Sequence, residues 1–111
     1  MCCTSSVNQL TPAQFAEVIE NPEVVILDVR TPTEFEAGHI DGAINLDIHS
    51  HEFQVQISVL DKAGHYAVYC RSGNRSSYAC QDMADIGITN IDHLENGIIA
   101  WVDKNYPVIQ S

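Results

Sequence analysis

Tyr66-Ala67-Val68-Tyr69-Cys70-Arg71-Ser72-Gly73-Asn74-Arg75-Ser76 is a short apolar run that breaks into a polar loop, and a helical pattern follows from Ser77 to Ile86. Strand, tight loop and helix start, in that order, bring backbone N–H groups together where the helix dipole favours an anion. A cysteine at the head of such a loop has a depressed thiol pKa and reacts as a thiolate. The chain holds 5 Lys and Arg against 15 Asp and Glu, a net charge of −10, yet Arg71 and Arg75 both fall in this one loop. That local reversal of sign marks an anion site, which a merely buried cysteine at a strand end would not need.

Outward from the loop, strand and helix patterns alternate. On the amino-terminal side a brief strand around Val7 precedes Thr11-Pro12-Ala13-Gln14, which has Thr at the N-cap, Pro at the first helical position and Gln closing a capping box. Phe15, Val18 and Ile19 give that helix an apolar face, and Asn21-Pro22 ends it. Val24-Val25-Ile26-Leu27 is a continuous apolar run of the kind buried on both faces of a parallel sheet. The helix-start pattern then repeats as Thr31-Pro32-Thr33-Glu34, with Gly38 as the expected C-cap and Ala43-Ile44-Asn45-Leu46 as the next strand. Between His49 and Leu60 the pattern fits either period: Phe53, Val55, Ile57 and Val59 alternate, while Phe53, Ile57 and Leu60 make a helix face. Beyond the loop, Ala79, Met83 and Ile86 share a helix face that ends at Gly87; Ile88 to Leu94 holds a strand, and Asn96-Gly97 turns into a last helix with Trp101, ended by Pro107. Strands alternating with helices predict an α/β fold around a mostly parallel sheet, with the reactive site at the carboxyl ends of the strands, where Cys70 falls.

A chain of 111 residues with 45% hydrophobic content is read as one domain spanning 1–111, with residues 1–6 a frayed lead-in. The acidic balance argues against nucleic acid or an anionic membrane surface as partner. Cys2, Cys3, Cys70 and Cys80 form no CxxC pair, no zinc pattern and no disulfide framework. No apolar stretch approaches a membrane span and no signal-peptide core opens the sequence, so a cytoplasmic, reducing location is expected, or the periplasm where a signal has been removed.

Several of these stretches resemble the rhodanese family. Asp28-Val29-Arg30, Glu34-Phe35, Gly38-His39-Ile40, Gly42-Ala43 and Asn45-Leu46 are similar to its first signature, Cys70 to Ser76 to its active-site loop, and Gly97 with Trp101 to its carboxyl-terminal signature. The resemblance covers nearly the whole chain and implies a sheet of about five strands with helices on both faces. Asn96 stands where the family commonly has the first of two glycines, and asparagine tolerates the left-handed backbone such a turn would ask of it.

The resemblance implies a sulfurtransferase: Cys70 attacks the outer sulfur of thiosulfate, releases sulfite and holds a persulfide that a thiol or cyanide then removes. The amides of Arg71, Ser72, Gly73, Asn74, Arg75 and Ser76 are expected to cradle the anionic sulfur, and Arg71 and Arg75 to receive a dianionic donor. No cofactor and no metal are expected, and the expected working unit is a monomer. The alternative is a sulfur-carrier or persulfide-sensing module that delivers sulfur to a protein acceptor with little thiosulfate turnover. A cysteine phosphatase or arsenate reductase is disfavoured, because the loop reaches Arg75 one position too early to ring a tetrahedral oxyanion.

Supporting roles fall to Asp28, Arg30, Glu34 and His39. Arg75 is expected to ion-pair with Asp28 besides meeting substrate, Arg30 to pair with Glu34 and tie a strand end to the next helix, and His39 to be a hydrogen-bonded core histidine. His65 lies at the far end of the strand, roughly 16 Å from Cys70 at the rise of an extended chain, too far to be its base. His49 and His51 form an H-x-H without a matching third ligand. His93 is read as a surface histidine in preference to one that approaches the pocket from a neighbouring strand end, and Cys80 as buried and inert.

Overall fold

The computed structural model describes residues 7–110. The lead-in at residues 1–6, including Cys2 and Cys3, lies outside the described residues. Five strands, β1 (Val7–Leu10), β2 (Val24–Asp28), β3 (Ile44–Asn45), β4 (His65–Tyr69) and β5 (Asn90–Leu94), alternate with five helices: α1 (Pro12–Val18), α2 (Pro32–Ala37), α3 (Phe53–Ser58), α4 (Asn74–Asp85) and α5 (Gly97–Asp103). The sheet is parallel throughout, in the order β1-β5-β4-β2-β3. β4 is therefore central, flanked by β2 and β5, and all three carboxyl ends surround Cys70.

Each helix start follows from its local sequence. Thr11 Oγ1 accepts from Gln14 N while Gln14 Oε1 accepts from Thr11 N, and Thr31 and Glu34 repeat the arrangement at α2. Both boxes satisfy amides that a helix start would otherwise leave unpaired. Gly38 does follow α2, but its φ of 166° is extended backbone open to any residue, so no left-handed cap is formed there.

The ambiguous stretch is helical. Phe53 and Ile57 are buried whereas Val55 and Val59 are 66% and 78% exposed, so the four side chains that a strand would have set on one face are divided as a helix divides them, with only Phe53 and Ile57 turned to the core. Burying each of those two side chains contributes about 2 kcal/mol. They join Leu27, Val68, Ala79, Cys80, Met83 and Ile91 in a core under α3 and α4. A second core on the other face gathers Phe15, Ile26, Ala67, Tyr69, Leu94, Ile98 and Trp101 under α1 and α5. Helices thus cover both faces, as the sequence predicts. Among the described residues no helix is long and apolar enough to cross a membrane.

Candidate active site

The loop after β4 is shaped by two glycines. Gly73, the N-cap of α4, has φ 100°, and a Cβ there would lie 1.9 Å from the Glu95 carbonyl oxygen. Gly97 has φ 70°, and a Cβ there would lie 2.2 Å from the Arg71 carbonyl oxygen. Neither position can take a side chain without moving backbone. Asn96 needs no such tolerance: its φ is −105°, so of the pair Asn96-Gly97 only the second residue uses the left-handed region.

This close approach orients the peptide units of the loop. Ile98 N donates to Cys70 O at 2.9 Å and Ile99 N to Arg71 O at 3.1 Å, so the first carbonyls of the loop serve the start of α5. Amides further along the loop turn inward to the sulfur. Gly73 N and Ser76 N lie 3.2 and 3.3 Å from Cys70 Sγ, and the Ser76 hydroxyl is 3.2 Å away. Burial pushes the Cys70 thiol up, but hydrogen bonds from the Ser76 hydroxyl and from the amides of Ser76, Gly73 and Ser72 outweigh it and hold the thiol below its usual range. Cys80, on the same helix face as Ser76, has its thiol pushed up by burial and stays neutral.

The charged residues of the site are paired differently from the expectation. Arg30 pairs with Asp28 (Nη2–Oδ2 2.6 Å) and not with Glu34, and it donates also to the Gly38 carbonyl at 2.6 Å. Two positions apart on extended chain, the Asp28 and Arg30 side chains emerge on the same side, and a buried carboxylate requires a compensating charge at contact distance. Arg75 pairs with Glu34 and not with Asp28: its two terminal nitrogens donate to Glu34 Oε1 and Oε2 at 2.7 and 3.0 Å. That fork, ahead of the opposing cost of burial, holds the Glu34 carboxyl at about 2, well below the carboxylate range. The pair fastens the start of α2 to the start of α4. His39 is buried, stacked on Phe35 at 3.8 Å between ring centroids and bonded through Nδ1 to the Phe35 carbonyl at 2.7 Å.

His93 is not at the surface. It is 2% exposed, with Nε2 2.6 Å from Ser76 Oγ and Nδ1 2.7 Å from Gln9 Oε1. Sequence reasoning missed it because β5 is buried on both faces and shows no polar alternation to place a histidine. The parallel pairing of β5 with β4, which sets His93 opposite Val68 two residues before Cys70, is what reveals it. His65 is occupied elsewhere, bonded to Asp92.

In front of the loop lies an open groove of about 480 Å³, with apolar walls from Ile98, Ile99, Val102 and Val108 and with Arg71 on its rim. The arrangement sets a buried thiol, held below its usual range, at the bottom of an amide-lined cup, beside an apolar groove whose Arg71 has no acidic partner among the described residues.

The chain is similar to known proteins along most of its length. A sulfurtransferase from Allochromatium vinosum is 32% identical over 104 residues, which are 93% of this chain and 95% of that protein. The tRNA uridine(34) hydroxylase of Erwinia tasmaniensis is 31% identical over 86% of this chain, which spans only 28% of that longer protein. The crystal structure of a rhodanese-related protein from Thermoplasma volcanium superposes with a TM-score of 0.81 at 33% identity, covering 94% of this chain and 99% of that one. The model of the rhodanese-like domain matches residues 11–104, so this chain belongs to the rhodanese-like domain family.

Proposed function

We propose that the chain is a sulfurtransferase that carries sulfane sulfur as a persulfide on Cys70. The observation that supports it most is the convergence of the Gly73 and Ser76 amides and the Ser76 hydroxyl on Sγ, all within 3.3 Å. Such a cup stabilises negative charge on sulfur, both in the attacking thiolate and on the outer atom of the persulfide. In the first half-reaction the Cys70 thiolate attacks the outer sulfur of thiosulfate. The S–S bond breaks and sulfite departs with its electron pair. In the second, a thiolate or cyanide attacks the same outer sulfur and Cys70 leaves as thiolate, so electrons balance without a redox partner. Arg75 is committed to Glu34, which leaves Arg71 at the groove rim as the cation that meets a dianionic donor.

A second reading, delivery of sulfur to a protein acceptor, draws support from the groove. Thiosulfate needs little of its 480 Å³, while Ile99 and Val102 are half-exposed beside the loop and suit an apolar acceptor segment.

Intact-protein mass spectrometry after thiosulfate, then after cyanide, tests the proposal. One added sulfur atom on the Cys70 peptide, removed by cyanide and absent in Cys70→Ser, is expected. Loading of Cys70→Ser equal to the native chain would overturn the assignment. Loading only from glutathione persulfide would move it to the carrier reading.

A further inference from the structure

Behind the thiol runs a continuous line of hydrogen bonds that the sulfur chemistry above does not use. Cys70 Sγ contacts Ser76 Oγ at 3.2 Å, Ser76 Oγ contacts His93 Nε2 at 2.6 Å, and His93 Nδ1 contacts Gln9 Oε1 at 2.7 Å. The carbonyl oxygen of Gln9 can only accept, so Nδ1 carries a hydrogen in the neutral ring and Nε2 is the free acceptor. The Ser76 hydroxyl then donates to Nε2 and accepts from the Cys70 S–H. Every donor has one acceptor, and the line is polarised from sulfur to imidazole.

We propose that His93, acting through the Ser76 hydroxyl, is the positioning residue that takes the Cys70 proton and holds the sulfur as a relayed thiolate–imidazolium pair. The proton on Sγ passes to Ser76 Oγ as the hydroxyl proton passes to Nε2. Afterwards Ser76 O–H points at the sulfur anion, Nε2–H donates to Ser76 Oγ, and Nδ1–H still donates to Gln9. Heavy atoms need not move, because the same three contacts serve both states with their donors reversed. No oxidant or reductant is involved.

The surroundings suit that task. Burial pushes the His93 imidazole down, with the Gly73 backbone opposing it, so the ring is neutral before the proton arrives. On its side of the sheet His93 faces Cys70 at the end of β4 and the neutral Cys80 of α4, β1 contributes Gln9, and Tyr66 at the far end of β4 is bonded away to the Asp61 carbonyl. Asp92, the next residue on β5, is held by Asn8 and His65. The negative sulfur is therefore the group that favours the imidazolium. Gln9 lies on the exposed edge strand and lines a surface pocket with Val7, Tyr78 and Cys80, so the far end of the relay reaches solvent on the side away from the substrate groove. Loss of Cys70 as thiolate in the second half-reaction would be helped by the same cation. The inference rests on the sulfur-transfer reading for its purpose but on these three contacts for its content.

The test is the pH profile of Cys70 alkylation by iodoacetamide, followed on the Cys70 peptide. In His93→Gln the side-chain amide can hydrogen-bond to Ser76 but cannot take up a proton. The inflection should rise by about one pH unit, a roughly tenfold slower reaction at pH 7. An inflection unchanged from the native chain, with or without a uniform drop in rate, would overturn the proposal. Should His93→Gln not fold, the native chain decides. The ¹⁵N shifts of His93 should report imidazolium at neutral pH and return to neutral imidazole when Cys70 is capped with methyl methanethiosulfonate. A ring neutral in both states would overturn the proposal equally. Sulfur loading is a separate readout: a chain that shows the shift but takes no sulfur keeps the relay and loses the sulfur-transfer reading.

Discussion

Thr11-Pro12-Ala13-Gln14 and Thr31-Pro32-Thr33-Glu34 open α1 and α2 with the same capping box, yet they differ in what lies beyond it. Gln14 has one acceptor oxygen, and it is spent on Thr11 N. Glu34 has two oxygens and a charge: Oε1 serves Thr31 while both oxygens bind the Arg75 fork. The first box starts a helix. The second starts a helix and also anchors α4, whose first turn supplies the cup around Cys70. A device of purely local origin becomes part of a site when one polar group is exchanged for a charged one.

The comparison breaks most visibly at Glu34→Ala. Loss of the return bond to Thr31 and of the partner of a half-buried arginine should cost about 2 kcal/mol in urea denaturation. Gln14→Ala, which loses only the first, should cost about half that. Equal losses would mean that the Arg75 contact contributes nothing. Next in size is the pair itself: a double-mutant cycle of Glu34→Gln with Arg75→Met should give a coupling of about 1 kcal/mol, since the bidentate geometry is good but solvent screens it. Acid sharpens the same point. The Glu34 carboxyl sits at about 2 in the folded chain against 4.5 for the unperturbed group. Its contribution is complete above 4.5 and is lost as pH falls through about 2. The native chain should therefore lose more stability than Glu34→Gln between those limits, and parallel losses would detach the pair from acid sensitivity. The smallest effect belongs to Gln14→Glu, within about 0.5 kcal/mol of the native chain, because no arginine waits there. A larger gain would show that the box alone, through the helix dipole, accounts for the difference.

How far the sequence could be read follows from the range of the forces involved. The capping boxes, the run Val24–Leu27 and the strand–loop–helix at Cys70 are local patterns, and the elements form where those patterns lie. The helix α3 was ambiguous because six residues hold too few turns to separate the two periods. Ion-pair partners were harder. Asp28, Arg30, Glu34 and Arg75 all gather at one end of the sheet, and only the turn between β2 and α2 decides which acid reaches which base. His93 reads from the sequence as a surface residue in preference to a neighbour of the pocket, because its partners Ser76 and Gln9 come from distant stretches and a lone histidine in a strand buried on both faces carries no pattern.

The amino-terminal strand has one neighbour, β5, and they meet only after almost all of the chain lies between them: Gln9 and His93 are 84 residues apart. Closing so long a loop is slow and is rewarded late. During synthesis β4 and α4 can form before Asn90 exists, but the loop around Cys70 is oriented only once Glu95, Gly97, Ile98 and Ile99 reach it, just as Gln9 waits for His93. The cradle of the sulfur and its rear support are thus both completed late, by the same stretch of chain. A ribosome-bound chain stalled before β5 should hold a Cys70 thiol that is neither caged nor tuned, reacting with iodoacetamide as a free thiol does.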